Sequence, residues 1–513
     1  MTDDQKLSEL IAQVETVSPK LVDCWQATAI VESLGYTDRI IQAEFNFQDA
    51  LEIGEYIYQQ NNPTPVTSET KPHINWKASA ISEVYAFVEQ FSRSFVYAIP
   101  LISLLALSNI KASDTWKFIP PQLAALFTIA TLASLITSGG FVQAIARRGE
   151  FYLGLDLSQQ AKRTCISLFG WGMLTSFLLA VFSLWFGFYR SLFPDNYLVM
   201  GASYYLVLSS LWMLLSMLSL LSVWGTPLTL IGLTALYWIF RFMADMAALE
   251  AQMAAIFVIL IVLSITIFVL FHQRKKDDAD GKNIELPSLS ATVYLLAPFF
   301  AYGITYFCFI FADRLVAGWA VDAASGLIFA IDSAYQKGMD LALLNFLLAV
   351  PLSEYLAYKL INYWYIQAKV VSYENMAQLS RELKRRYWLL VGITLLFFTL
   401  LVTFSIGFPT LKPWAIENTV LSWVGCLGYL LLVLGLLNAV ILFRLNLANA
   451  AIASLFPSLV VNLVVGYIAA NSTAPDWAVL GLVTGSMVFL LLSQRKVIDA
   501  IKSPDYAYYL GGY

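Results

Sequence analysis

Charged and amide side chains set inside long apolar stretches are where this chain could do chemistry. Glu354 lies in the apolar stretch 340–361, about eight residues, or ~12 Å, from its end. Placing a charge at such a depth costs roughly 2.5–3.5 kcal/mol on insertion scales, so the carboxylate needs a purpose. It either lines a water-filled cavity and titrates there, or it hydrogen-bonds a neighbouring helix. Lys359, five residues on, sits about 140° around a helix from it and snorkels to the interface instead. Asp313 and Arg314 close another apolar stretch, 290–312, as an acidic-basic pair that could guard its mouth. Arg241 and Asp245 stand at i, i+4 near the end of 224–241, the spacing of an interfacial ion pair more than of a clamp on a solute. Asn345, Asn438 and Asn462 each put an amide inside an apolar stretch, offering it to a polar solute or to a neighbouring helix.

Other chemistries lack their residues. Asp278-Ala279-Asp280 has the Asp-x-Asp form that holds a metal and a sugar nucleotide. It sits in Arg274-Lys275-Lys276-Asp277-Asp278-Ala279-Asp280-Gly281-Lys282, however, which reads as a solvated mixed-charge linker. No Gly-x-x-x-x-Gly-Lys-Ser/Thr loop for phosphate occurs. The four cysteines (Cys24, Cys165, Cys308, Cys426) are widely spaced and fit neither a disulfide framework nor a zinc site. His73 and His272 are the only imidazoles, too few for a histidine-based metal centre. No cofactor and no metal are expected, and nothing here points to an enzyme.

The elements that carry these groups follow from composition. Of 513 residues, 59% are apolar and only 13% charged, and the mean hydropathy is +0.67. Soluble domains run at about 45–50% apolar and about 25% charged. A soluble enzyme and a disordered scaffold are both excluded, leaving an all-α polytopic membrane protein. Stretches able to span, at ~20 apolar residues each, lie near 94–110, 116–138, 165–187, 198–221, 224–241, 251–272, 290–312, 340–361, 387–408, 419–443, 447–471 and 477–493. With the N-terminus inside, the inner loops and tail carry 17 Lys/Arg against 7 outside. That bias satisfies the positive-inside rule and places both termini in the cytoplasm of a plasma (inner) membrane protein. Arg147 and Arg148 lie in one inner basic loop, and Arg385 and Arg386 in another.

Those two loops occupy matching places. Each follows the second span of a six-span half, at 139–164 and at 362–386. The leading spans of the halves also match, as Val96-Tyr97-Ala98-Ile99-Pro100 and Val293-Tyr294-Leu295-Leu296-Ala297-Pro298. Two like-oriented halves, 94–272 and 290–493, joined by a charged linker at 273–289 and followed by a tail at 494–513, are therefore expected. Pro100, Pro298 and Pro351 are hinge candidates, since proline removes a helical hydrogen bond.

The N-terminal segment differs in kind. Residues 1–93 hold 6 Lys/Arg and 14 Asp/Glu, a net of −8, while the rest of the chain nets +4. Nothing there resembles a basic nucleic-acid footprint, and the opening Met1-Thr2-Asp3-Asp4 is no secretory signal. Residues 1–72 read as an acidic module of short helices with a Pro-bearing linker, with turns at Ser18-Pro19 and Gly35-Tyr36-Thr37-Asp38 and a helix cap at Thr37 or Asp38. Residues 73–93 form an interfacial lead-in helix.

The run SGGFVQAIARRGEFYLGLDLSQQAKR at 138–163 combines a small-residue exit, a basic helix and a return into the next span. This resembles the MOP flippase superfamily, with its MATE/Wzx-like fold, of multidrug exporters, lipid-linked oligosaccharide flippases and polysaccharide transporters. Phe309-Ile310-Phe311-Ala312-Asp313-Arg314, the Gly338-Met339-Asp340 start of the eighth span, its Tyr363-Trp364-Tyr365 exit and the aromatic tail Pro504-Asp505-Tyr506-Ala507-Tyr508 are similar to the PelG-type transporter subunit of Pel exopolysaccharide machines. The resemblance covers roughly 94–513; the acidic module departs from it. It implies flipping or export of a polysaccharide or lipid-linked oligosaccharide beside a cytoplasmic glycosyltransferase. Asn345, Asn438, Asn462, Glu354, Asp313, Arg314 and Arg241 then become candidates along the substrate pathway. An ion-coupled multidrug exporter of the same fold is the rival, disfavoured because 94–110 carries no charged residue. A membrane glycan polymerase or ligase comes third, since the longest expected outer loop, 313–339, is poor in catalytic residue types.

Overall fold

The computed structural model describes residues 3–18, 21, 24–45, 47–61, 83–88, 121–155, 157–246, 248–275, 289–320, 333–368, 371, 375–407, 419–472 and 474–510, and every regular element among them is helical. The acidic module is built from α1 (Asp3–Val17), α2 (Cys24–Ser33), α3 (Asp38–Glu44) and α4 (Ala50–Asn61). Its apolar residues recur at helical spacing and meet in one core: Leu10, Val14, Ala27, Ile30, Val31, Ile41, Ile53 and Ile57 are all buried. Gly54 lets α4 lie directly on α2, because a Cβ there would collide with Thr28. Gly35 ends α2 at φ +93°, a left-handed conformation that an L side chain resists. Thr37 precedes α3 in the N-cap position without a side-chain bond. Asp38 instead accepts from the Ala50 N–H (3.0 Å), and Asp49 accepts from the Glu52 N–H (2.8 Å), so both carboxylates serve the start of α4.

The chain divides into two compact units. The first comprises Met1–Glu83, Leu360–Tyr387 and Asp499–Tyr513. Within it, fully buried Trp364 donates its indole N–H to the Pro504 carbonyl (3.1 Å), tying down the tail helix Pro504–Leu510. Arg386 lies over the Tyr363 ring at 3.6 Å while pairing with Glu382 at 3.0 Å. Arg385 is exposed.

The second unit, Val84–Lys359 with Trp388–Ile498, holds most of the apolar chain. Among the described residues eleven helices are long and apolar enough to cross a membrane, and they coincide with the second to twelfth expected spans. The expected first span and Pro100 lie outside the described residues, as do Asp278-Ala279-Asp280 and most of the 273–289 linker. Numbering continues as α5 (Pro121–Gly154), α6 (Ser158–Arg190), α7 (Asp195–Leu221), α8 (Gly225–Trp238), α9 (Ala248–Lys275), α10 (Leu289–Ala320), α11 (Ser333–Ala368), α12 (Met376–Gly407), α13 (Thr419–Arg444), α14 (Ala448–Ser472) and α15 (Val479–Lys502).

Several helices outrun their apolar stretches. α5 has 34 residues and α11 has 36, about 50 Å each at 1.5 Å per residue against a ~30 Å hydrocarbon core. The two basic loops are thus largely continuations of these helices and of the ones that follow. Past residue 138, α5 stays helical because Val142, Ala144, Ile145 and Tyr152 keep one apolar face buried. Residues 313–320 and 333–339, expected as outer loop, are helical too. Pro298 and Pro351 both lie inside helices, α10 and α11.

α5 packs on α6 and α7 of its own half and on α10 of the other, and α10 also packs on α14. Buried polar groups fix the first of these sets: Trp212 donates to Ser134 Oγ (3.1 Å), Ser216 donates to the Val142 carbonyl (3.1 Å), and Thr137 shares a hydrogen bond with the Tyr205 hydroxyl (2.9 Å).

Candidate functional site

A buried polar cluster of the second unit gathers on α10, α11 and α13. Asp313 and Arg314 sit within α10, not beyond it, with residue exposures of 0% and 7%. Tyr335, also buried, donates its hydroxyl to Asp313 Oδ2 (2.9 Å). Arg314 Nη1 pairs with Asp340 Oδ1 at 2.7 Å and donates to Gln336 Oε1 at 2.9 Å. Asp313 Oδ1, Arg314 Nε and Nη2, and the Tyr429 hydroxyl are buried without a hydrogen-bond partner, and Tyr429 is electrostatically coupled to both charges. The guanidinium therefore pairs with Asp340 and is electrostatically coupled to Asp313, and two acids share the node with one base. The spacing of Asp313 and Arg314 flagged the pair; Tyr335, Gln336, Asp340 and Tyr429 joined it only through tertiary packing. Charges in this setting persist only when paired and hydrogen-bonded.

A second charged pair involves Glu354. Its carboxylate reaches Arg444 Nη2 at 4.0 Å, and both side chains are about a quarter exposed, at 27% and 25%. Arg444 is the last residue of α13, just before the turn at Asn446, which adopts φ +59°, and its guanidinium faces the Tyr358 ring at 5.5 Å. The buried, unpartnered hydroxyl of Tyr302 on α10 also feels the Glu354 charge.

The three asparagines lie between helices. Asn345 donates to Leu341 O (3.1 Å) and accepts from Ser405 Oγ (2.5 Å), joining α11 to α12. Asn438 on α13 donates to Ser493 Oγ on α15 (3.1 Å), and Asn462 on α14 donates to Phe309 O on α10 (3.1 Å). Asn462 Oδ1 has no partner. Gly481 and Gly485 pack against Asn462: a Cβ at Gly481 would overlap the Asn462 carbonyl, and one at Gly485 would lie 2.7 Å from Asn462 Cβ. This Gly-x-x-x-Gly spacing brings two backbones together.

Arg241 does not form the i, i+4 pair. The end of α8 widens into a π-helical turn, Ile239–Met243, and Asp245 takes φ +50°, so α-helical spacing no longer applies between the two residues. Arg241 Nη1 instead donates to the Met246 carbonyl (3.1 Å). On α5, Arg148 donates to the Tyr152 hydroxyl (3.1 Å) and Arg147 faces the Phe299 ring of α10 at 5.3 Å. Among the described residues, no three His, Cys, Asp or Glu side chains gather as a metal site. Trp319, Trp388 and Trp477 are exposed, whereas Trp116 and Trp414 lie outside the described residues.

No protein-family model matches this chain, and no curated protein is significantly similar to it in sequence. Solved structures are similar in fold. The outward-facing conformation of a multidrug resistance MATE family transporter of the MOP superfamily matches at TM-score 0.57 and 15% identity, over 82% of this chain and 96% of that one. A substituted form of the Vibrio cholerae MATE transporter VcmN matches at TM-score 0.58 and 15% identity, over 84% and 100%. A MATE structure in complex with MaD3S matches at 0.56 and 15%, over 82% and 96%. At this identity the likeness is one of architecture: the multi-pass helical chain has the fold of the MATE transporters of the MOP superfamily.

Proposed function

We propose that this protein is a transporter that moves a polysaccharide or lipid-linked oligosaccharide across the plasma membrane by alternating access, in the manner of Pel exopolysaccharide export. The observation that carries the transport reading is the match to MATE transporters over 96–100% of their length, which takes in both halves of the architecture. The glycan reading draws on the PelG-type motifs around Asp313-Arg314, Gly338-Met339-Asp340 and the Tyr363-Trp364-Tyr365 exit. Within it the acidic helical module is the docking element for a cytoplasmic glycosyltransferase, both termini are cytoplasmic, and the Glu354–Arg444 pair, about a quarter exposed, lies along the pathway. The chain performs no bond-making chemistry of its own in this scheme. Multidrug export is the second reading, favoured because one of the structures similar in fold is a multidrug resistance transporter. Disrupting the gene and measuring both secreted polymer and susceptibility to cationic drugs separates them. Loss of polymer at unchanged susceptibility is the expected result; the converse overturns the glycan reading.

A further inference from the structure

We propose that the exposed side of α12 is a binding site for an anionic phospholipid, with its phosphate held by Arg381, Lys384 and Arg385 and an acyl chain lying along the leucines that follow. The inference is independent of what the protein transports.

The basic part of the site stands on a pinned segment. Leu379, Leu383, Tyr387 and Leu390 recur every three or four residues and are buried, so the opposite side of α12 faces outward. Arg381, Lys384 and Arg385 lie on that outward side and are exposed. The one acid within 381–386, Glu382, is already engaged. Arg386 donates to it through Nε (3.3 Å) and Nη2 (3.0 Å), and Tyr363 of α11 hydrogen-bonds to it as well. Lys384 and Arg385 make no hydrogen bond or ion pair among the described residues, and Arg381 bonds only to its own helix, at the Ala377 carbonyl (3.4 Å). Like charges three and four residues apart on a helix repel, so the three cations are more stable beside an anion than without one.

The continuation of the same side decides which anion fits. Trp388 and Leu389 follow directly and are 47% and 58% exposed, and Leu396 and Leu400 carry the side onward, at 59% and 58%. From Leu389 to Leu400 the helix rises about 16 Å, half of a ~30 Å hydrocarbon core. Cations, then an interfacial tryptophan, then one leaflet's depth of leucine reproduce the outline of a phospholipid. A soluble phosphate would match the cations but not the leucines. An acidic protein segment fits less well: the acidic module belongs to the same compact unit as Leu360–Tyr387, and the three cations are nonetheless exposed.

The test uses the full chain in nanodiscs of equimolar phosphatidylglycerol and phosphatidylcholine, with photoreactive p-benzoylphenylalanine in place of Gln378, which is exposed just before Arg381. Irradiation and intact-mass measurement count the two lipids among the adducts. Phosphatidylglycerol should outnumber phosphatidylcholine about fivefold or more, the ratio that one lysine or arginine near an anionic surface supports. Arg381→Gln, Lys384→Gln and Arg385→Gln together should bring the ratio to near one at matched abundance, whereas Arg381→Lys with Arg385→Lys should keep it. Equal adducts in the parent, or enrichment undiminished in the triple glutamine variant, overturn the proposal. Cross-links from position 378 to the acidic module in place of lipid adducts assign the cations to the module and overturn it too. Inorganic phosphate, compared with chloride at equal ionic strength, should leave the ratio unchanged; collapse of the ratio would make this a soluble anion's site and refute the lipid. The readout involves no transport, so it stands or falls apart from the glycan reading.

Discussion

Arg314 is paired with partly exposed Asp340 and coupled to buried Asp313, and removing it should damage the protein far more than removing Asp340. In the native node one cation faces Asp340 at 2.7 Å and is electrostatically coupled to its sequence neighbour Asp313. Arg314→Met leaves two carboxylates without a counter-charge, one of them wholly buried. Breaking a buried pair in this way costs about 3–5 kcal/mol. Asp340→Asn acts differently: Asp313 and Arg314 remain as a neutral couple, and the amide oxygen can still accept from Nη1. What is lost is the charge assistance of one hydrogen bond, about 1–2 kcal/mol, and the partial exposure of the Asp340 side chain, 19%, holds the loss to the lower end. The assay is the amount of membrane-inserted protein, then the midpoint at which heated detergent-purified protein ceases to be monodisperse. Asp340→Asn should stay near the parent while Arg314→Met falls sharply. Adding Asp340→Leu to Arg314→Met should recover only part of the loss, because buried Asp313 still lacks a counter-charge. Equal damage from the two single variants would refute the one-cation, two-anion account.

Glu354→Gln should insert normally, since a pair at 4.0 Å with both members about a quarter exposed is worth about 0–1 kcal/mol, yet secrete less polymer; wild-type secretion at matched abundance ends the case for the carboxylate. Gly54→Val should unfold the acidic module through its collision with Thr28 without lowering membrane abundance, and faster proteolysis of residues 3–61 is the measurement. Reporter fusions at residues 20 and 505 should both signal the cytoplasm, and an external signal from either overturns the topology.

Apolar runs of spanning length and the lysine-arginine bias are properties of local sequence, because a peptide group or an unpaired charge exposed to hydrocarbon is costly before any helices dock. The eleven described spanning helices, the helical acidic module and the placement of Pro298 and Pro351 inside helices were accordingly open to reading from residue order alone. The Gly481 and Gly485 contact was equally readable, since a Gly-x-x-x-Gly face has few other uses in a membrane helix. Pairing was not. Arg241 and Asp245 had the right spacing for a helix that, at that point, ceases to be α-helical. Asp313 and Arg314 ended an apolar run and so resembled a loop; burial became tolerable only because Tyr335, Gln336 and Asp340 arrive from α11 and Tyr429 from α13. The partners of Glu354, Asn345, Asn438 and Asn462 come from helices up to 153 positions away. A polar group's need for a partner is written in its own side chain, but which partner answers it depends on how the helices dock, and that docking is the outcome of the whole chain's packing.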